Sequence, residues 1–453
     1  MLVRSSVGKA VTAVVALCVL SVGCASTDDS PRSKPTPTPA EPVEVTFAVY
    51  GPEPVIAAYK EIAARYIVAN PEVKIVVEPY STHTEAMTAL RESRAAGDPP
   101  DVFLMDRDDL AGLTEDRAVR RVDDLLAARE VDFGDGYTRN GLEAFSSEAA
   151  LQCMPLDVSP LVVYFNPRLI ELDRIAEPGR NPVTQEDGWS LEEFGRGAMQ
   201  ARRPGVRGLY ITPELEQVAP FVWSGGGEIV DDADDPTTLT LSDDPTTGAL
   251  EQLLELVRNP ALTFNQDALR RQSPLERFKH GKLGMILGYR ELTPLLRAQQ
   301  GLIFDVMPLP RLSSGATIAT MSGLCISAES EETSEAADFL AAVISDEGAG
   351  TLAATGYVMP ANLNVVNDEV FLQGGQRPLN ASVFGREVRD TRLLPSTPRW
   401  PLVNRDASRQ FTQLFYEPVI LPPLQERLEA IDEASVSVFD PSKAPSVTPS
   451  ATP

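Results

Sequence analysis

The chain has 453 residues, enough for two or three domains, which excludes a small disulfide-stapled scaffold. Asp and Glu number 65 against 40 Lys and Arg, and the formal net charge of -25 has the wrong sign for binding a phosphate backbone. We therefore expect no nucleic-acid partner. The chain has only two histidines, His83 and His280, which argues against a histidine-dependent catalytic triad or a multi-histidine metal site, and we expect no metal.

The first residues resemble a secretion signal. Arg4 and Lys9 precede an apolar run over 10–22, and Cys24 follows shortly after. Residues 21–24, SVGC, resemble the bacterial lipobox, although Ser21 stands where that pattern usually has Leu. This resemblance predicts a signal peptide over 1–23 and lipidation of Cys24. An unlipidated secreted protein and an uncleaved membrane helix are the alternatives.

Two segments lack the composition of a folded core. Residues 24–42 are rich in Pro and Thr, which favours an extended tether, and residues 441–453 have the same character and predict a disordered tail. The folded body therefore spans about 43–440. Within it, Cys153 and Cys325 can form a disulfide in an exported protein or remain two buried thiols, and the sequence leaves both possibilities open.

The folded body opens with alternating strands and helices. Hydrophobic periodicity predicts strands over 43–50, 73–78 and 101–105, separated by helices over 55–67 and 87–96. This alternation is typical of an α/β fold with a parallel sheet covered on both faces.

Ligands of such sheets bind beyond the carboxyl ends of the strands. Tyr50 and Asp106 lie at strand ends, and His83 lies in the loop expected after the second strand. Asp157, further along, is another candidate because an ionised carboxylate accepts hydrogen bonds from hydroxyl groups. For each of the charged candidates the alternative is a solvated surface group.

Six segments, taken in order, resemble the family 1 extracellular solute-binding proteins, which are receptors of ABC importers. They are YIVANPEVKIV at 66–76, AAGDPPDVFLMD at 95–106, MPLDVSPLVVYFN at 154–166, WSLEEF at 189–194, FKHGKLGMILG at 278–288 and residues 336–360. The resemblance implies a two-lobed periplasmic-binding-protein fold of type II, with a hinge and a ligand cleft between the lobes. The implied lobes are 43–148 plus 312–345 and 149–311 plus 346–440.

The resemblance also suggests further contacts in the cleft. Trp223 and Trp400 match positions that bring an aromatic ring to the ligand, with Arg399 as a donor beside Trp400. Tyr289 and Arg290 follow Gly288 where sugar-binding relatives commonly carry a tryptophan, and Gly323 lies at the start of a return strand. A structural role in the core is the alternative for the two tryptophans.

Together these features predict a lipid-anchored receptor on the extracytoplasmic face of the cell membrane. We expect it to be a monomer that captures a mono- or oligosaccharide and delivers it to ABC permease subunits, without catalytic residues or a cofactor. A receptor for a polyamine, a peptide or a glycerophosphodiester is an alternative within the same fold. A secreted glycoside hydrolase that uses two carboxylates is the alternative from another class.

Overall fold

The computed structural model describes residues 41–443, apart from 132, 135 and 148. The predicted signal peptide, Cys24, most of the tether and residues 444–453 of the predicted tail lie outside the described residues. From Pro42 onward the described residues belong to one compact unit. No helix among them combines the length and the apolar character needed to cross a membrane.

The first sheet has six strands in the order β2-β1-β3-β12-β4, with β7 also paired to β12. Its strands are β1 Val43–Tyr50, β2 Val73–Tyr80, β3 Val102–Asp106, β4 Val119–Arg120, β7 Met154–Pro160 and β12 Ala319–Ser327. β1 pairs in parallel with β2 and β3, whereas β12 pairs antiparallel with β3, β4 and β7. The sheet is therefore mixed, and the predicted parallel arrangement holds only for its first three strands.

The second sheet has four strands in the order β11-β8-β10-β9, and a separate pair joins β5 to β6. The strands are β5 Ser146–Ser147, β6 Ala150–Leu151, β8 Val162–Phe165, β9 Arg207–Tyr210, β10 Leu283–Gly288 and β11 Asp305–Met307. Every residue of β8 and β10 is buried, as expected for strands covered on both faces.

Eighteen α-helices surround the sheets in the described part of the chain. They are α1 Glu53–Ala69, α2 His83–Ala96, α3 Leu110–Glu115, α4 Asp123–Ala127, α5 Arg139–Ala144, α6 Leu191–Ala201, α7 Leu215–Ser224, α8 Asp244–Val257, α9 Gln266–Arg271, α10 Pro274–Lys279, α11 Leu292–Arg297, α12 Thr333–Ile344, α13 Asp346–Ala354, α14 Leu363–Val366, α15 Glu369–Leu372, α16 Ser382–Glu387, α17 Trp400–Tyr416 and α18 Leu424–Phe439. Residues 441–443, the described start of the predicted tail, form a short 3-10 turn.

The five elements predicted at the start of the folded body are all present. The main difference is α2, which begins at His83 rather than near 87 because the Thr82 side chain accepts a hydrogen bond from the Glu85 amide and caps the helix. His83 is therefore the first residue of a helix and not part of a loop.

Three passages of the chain run side by side between the two sheets. Leu161 separates β7 of the first sheet from β8 of the second, and its amide donates to the Ile318 carbonyl at 2.7 Å. Thr317, just before β12, donates through its hydroxyl to the Leu161 carbonyl at 2.8 Å. Thr317 also forms a parallel bridge with Thr391, which belongs to a third passage. We call Leu161, Thr317 and Thr391 the crossing ribbon.

A disulfide joins Cys153, just before β7, to Cys325 in β12, and both residues are fully buried. Their Cα atoms lie 4.4 Å apart because β7 and β12 are neighbouring antiparallel strands. The sequence left a disulfide and two free thiols open, and the structure contains the disulfide.

The hydrophobic core forms two clusters, and the strands of the second sheet contribute residues to both. One surrounds the first sheet, includes most of the buried residues of α12 and α13, and extends to Tyr164 of β8 and Ile286 of β10. The other includes Val163 of β8 and the buried residues of α7, α8 and α17. In place of the predicted bounds of 43–148 plus 312–345 and 149–311 plus 346–440, we propose that the lobes divide at the crossing ribbon. The segment 355–391 then contacts both: Ala361 donates to Leu156, and Arg290 donates to Phe371.

Candidate ligand-binding cleft

A cleft of about 430 Å³ opens where the ends of the two sheets face each other. This volume lies within the range of roughly 300 to 1,000 Å³ typical of small-molecule sites. Its walls are built by the carboxyl ends of β1 and β3, the first residues of β12, the first turn of α7, the turn between β10 and α11, and the start of α17. Four aromatic residues line it, namely Tyr50, Tyr59, Tyr357 and Trp400.

Tyr50 and Asp106 form a hydrogen-bonded pair on the first wall. The Tyr50 hydroxyl donates to the Asp106 carboxylate. Burial raises the pKa of Asp106, although this hydrogen bond opposes the rise. His83 lies behind the pair, with its Nε2 atom 2.6 Å from the Asp109 carboxylate and 3.8 Å from that of Asp106. The hydrogen bond to Asp109 raises the pKa of His83.

Tyr289 and Glu216 form a corresponding pair on the second wall. Glu216 lies in the first turn of α7 and lines the cleft, and the Tyr289 hydroxyl donates to its carboxylate. Burial raises the pKa of Glu216, again opposed by the hydrogen bond from the tyrosine. Each wall thus presents one carboxylate that a tyrosine hydroxyl orients.

Asp157 lies on β7 near the crossing ribbon. Its Oδ1 atom accepts a hydrogen bond from the Met359 amide at 3.0 Å, and burial raises its pKa well above the usual range. Two further carboxylates, Asp108 and Glu291, line the cleft, and burial raises the pKa of each. Five acidic side chains therefore line a single cleft.

Two arginines also line the cleft, and both have partners in the protein. Arg107 donates to the Leu394 carbonyl at 2.8 Å, which links the first wall to the chain that leads into α17, and burial lowers its pKa. Arg392 forms a two-point ion pair with Glu228 at 3.1 and 2.7 Å. Its guanidinium carbon also lies 4.9 Å from the centre of the Trp223 ring.

The residues around the cleft suit a small polar ligand. Carboxylate oxygens accept hydrogen bonds from hydroxyl or ammonium groups, and aromatic rings cover the apolar faces of a sugar. Among the described residues, no group of three or more His, Cys, Asp and Glu could hold a metal ion.

The sequence matches the family of bacterial extracellular solute-binding proteins over residues 56–378. The chain belongs to this family. It is therefore the solute-binding receptor of an ABC transporter and not an enzyme, which removes the glycoside hydrolase alternative. A search of curated protein sequences found no match to this chain.

Solved structures of similar fold cover most of the chain. An ABC substrate-binding protein from Listeria monocytogenes in complex with cycloalternan is 18% identical, with a TM-score of 0.72, over 88% of this chain and 98% of that one. The sugar-binding protein MalE from Xanthomonas citri is 15% identical, with a TM-score of 0.74, over 88% and 98%. The GacH receptor of Streptomyces glaucescens, studied with acarbose, is 17% identical, with a TM-score of 0.70, over 88% and 99%. These similarities confirm the two-lobed periplasmic-binding-protein fold.

Four of the candidate residues line the cleft of this solute-binding protein: Tyr50, Asp106, Asp157 and Trp400. Trp400 is the first residue of α17 and only 3% exposed, with its ring 6.4 Å from that of Phe439. It can therefore offer only a small part of its ring to a ligand.

Three candidates contact residues that line the cleft. His83 contacts Asp106 and Asp109, Tyr289 orients Glu216, and Trp223 supports Arg392 from the second core. None of the three is among the residues that line the cleft.

The remaining candidates lie elsewhere. Arg290 is fully buried, and its guanidinium group donates to the Phe371 carbonyl at 2.9 Å and covers the Phe371 ring at 4.4 Å. Gly323 lies in β12, where a Cβ atom would stand 2.7 Å from the Phe145 ring, so its lack of a side chain serves packing. Arg399 precedes α17 and does not line the cleft.

Sequence reasoning missed Glu216, Glu291, Asp108 and the two arginines of the cleft. Asp108 and Glu291 each lie within two residues of a candidate. The sequence pattern therefore identifies the right segments but does not determine which side chain of each segment points into the cleft. Glu216 lies in the first turn of a largely apolar helix, where no pattern in the sequence distinguishes it from a solvated acidic residue.

Proposed function

We propose that this protein is a lipid-anchored receptor that captures a mono- or oligosaccharide outside the cell membrane and delivers it to the permease of an ABC importer. The observation that carries the proposal is the composition of the cleft, where the rings of Tyr50 and Tyr357 and the exposed part of Trp400 share one lining with several carboxylates, among them Asp106 and Glu216. This combination pairs apolar ring faces with hydrogen-bond acceptors, which a sugar requires.

The similar structures support the same ligand class. Proteins of this fold have been solved with cycloalternan, maltotetraose and maltose. The carboxylates of our cleft come from both walls, so a bound sugar would hold the two lobes together and favour closure about the crossing ribbon.

Calorimetric titration of the purified chain with mono-, di- and trisaccharides, a glycerophosphodiester, a tripeptide and spermidine tests the ligand class. We expect binding by at least one saccharide. Binding of spermidine, the peptide or the phosphodiester without any saccharide would replace the ligand class, while leaving the transport role intact.

A pair of variants at Trp400 tests the site. Loss of an aromatic contact costs about 1 kcal/mol or more, so Trp400→Ala is expected to weaken saccharide binding about fivefold to tenfold. Trp400→Phe keeps a ring and should lose less. Because Trp400 also packs against Phe439, thermal unfolding of both variants separates a loss of contact from a loss of fold. Equal affinity in the folded Ala variant would place the ligand elsewhere.

The anchor and the oligomeric state need separate experiments. Cys24→Ala in the producing cell is expected to move the protein from the membrane fraction to the medium, whereas continued membrane retention would favour an uncleaved amino-terminal helix. Light scattering of the chain without residues 1–24 is expected to give the mass of a monomer.

A further inference from the structure

The two walls of the cleft carry charge of the same sign. Asp106 and Asp108 come from the end of β3 and the turn after it, next to the first sheet. Glu216 comes from α7 and Glu291 from the turn between β10 and α11, next to the second sheet. Asp157 lies between them near the crossing ribbon. The negative charge is therefore shared by both lobes.

The positive charge in the lining does not balance it. Of the two guanidinium groups, that of Arg392 is already paired with Glu228. Burial raises the pKa of Asp157 well above the usual range and favours its neutral form, which leaves Arg107 against the other four carboxylates of the lining. The residues described in the lining include no lysine or histidine. A ligand that enters the cleft therefore meets an excess of negative charge.

Two of the carboxylates are oriented by tyrosine hydroxyls and keep free positions for accepting further hydrogen bonds. Tyr50 and Tyr289 each donate a hydrogen bond from their hydroxyl group to a carboxylate, on Asp106 and Glu216 respectively. Such bonds favour the ionised form and occupy one acceptor position, leaving the others for the ligand. The cleft thus offers many acceptors and needs a ligand that is rich in donors.

Like charges repel more strongly as the lobes approach, since closure removes water from between them. A neutral sugar can donate hydroxyl protons but leaves the net charge in place. An ammonium group supplies three donors and one positive charge, which lowers the cost of bringing the two acidic walls together.

We propose that the natural ligand is a basic saccharide, in which an ammonium group lies between Asp108 and Glu216 or Glu291 while a sugar ring contacts Trp400. This inference rests on the proposed function, since it specifies the class of saccharide that the same cleft binds. The aromatic rings and the neutral side chains of Thr320, Ser322 and Asn404 favour a basic sugar over a linear polyamine.

Three trisaccharides and one linear polyamine test the inference by calorimetry at about pH 7: triglucosamine, its fully N-acetylated form, maltotriose and spermidine. We expect triglucosamine to bind at least about tenfold more tightly than either neutral trisaccharide. Raising the NaCl concentration about tenfold should weaken triglucosamine much more than maltotriose, because salt screens charge but not neutral contacts.

Charge removal in the cleft should reduce that preference. In the double variant Asp108→Asn/Glu291→Gln, the ratio of triglucosamine affinity to maltotriose affinity is expected to fall about tenfold. Glu251→Gln is the matched control, because Glu251 lies on the exposed side of α8 outside the cleft, and its removal should leave the ratio unchanged.

The outcomes separate the two proposals. Equal or tighter binding of the neutral trisaccharides would overturn the basic-saccharide inference and leave a sugar receptor. An unchanged ratio in the double variant would also overturn it. Binding of spermidine with no trisaccharide, or no binding by any probe, would count against the proposed function and this inference together.

Discussion

Glu387 should make the protein less stable as the pH rises through neutrality. It ends α16 and is 7% exposed. Burial, with the nearby Asp390 carboxylate, raises its pKa from the ordinary 4.5 to about 7, against the opposing effect of Arg311 and Arg386. The folded state therefore binds this proton more tightly than the unfolded state does. Its contribution to stability is complete below about pH 4.5 and is lost as the pH rises through about 7.

The magnitude follows from the two pKa values. Each pKa unit of difference corresponds to about 1.4 kcal/mol, so the difference between 4.5 and about 7 amounts to about 3 kcal/mol. Glu387→Gln removes the charge and keeps an acceptor. We expect the variant to match the wild type near pH 4 and to exceed its free energy of unfolding by about 3 kcal/mol near pH 8.

Urea unfolding of both proteins at several pH values between about 4 and 8 measures this difference, since urea does not screen charge. Glu251→Gln controls for the exchange of Glu for Gln on an exposed helix face. A difference between Glu387→Gln and the wild type that stays constant across the range would show that the Glu387 carboxyl does not titrate as its burial implies.

Two further predictions concern stability. Reduction of the disulfide, or Cys153→Ala/Cys325→Ala, should lower the free energy of unfolding by up to about 5 kcal/mol, because the bond closes a loop of 172 residues in the unfolded chain; unfolding with and without dithiothreitol measures it, and equal stability would contradict the loop-closure account. Gly323→Ala places a methyl group 2.7 Å from the Phe145 ring and should cost about 1 to 3 kcal/mol. Gly248→Ala, in α8 with no atom within 4 Å of the new Cβ, should instead be neutral or stabilising by about 0.5 to 1 kcal/mol, so a similar loss in both variants would rule out the steric explanation.

The start of the fold could be predicted from the sequence because its signals are local. In β1, Val45, Phe47 and Val49 are fully buried, and their recurrence at every second position marks the strand by itself. The end of α2 at Gly97 was equally clear, since the left-handed backbone there suits glycine. The antiparallel insertion of β12 beside β3 could not be predicted in this way, because it depends on pairing between residues more than 200 positions apart.

The candidate site shows the same division between local and distant information. Strand ends placed Tyr50 and Asp106 correctly in the lining of the cleft, because the carboxyl ends of parallel strands meet at one edge. At the turn after β10, however, Arg290 enters the core and the next residue, Glu291, faces the cleft. The conformation of the turn determines which of these two neighbouring side chains faces the cleft, and the sequence around Gly288 contains no signal for that conformation.

The crossing ribbon limits how the lobes can move. Three passages bound to one another through Thr317 resist shear and separation, because either would break hydrogen bonds of this fully buried residue. The softest remaining motion is a bend across the ribbon, about a single axis. We expect ligand binding to change a single angle between the lobes. A membrane partner that contacts both outer surfaces then needs to recognise only that angle, whatever the ligand is.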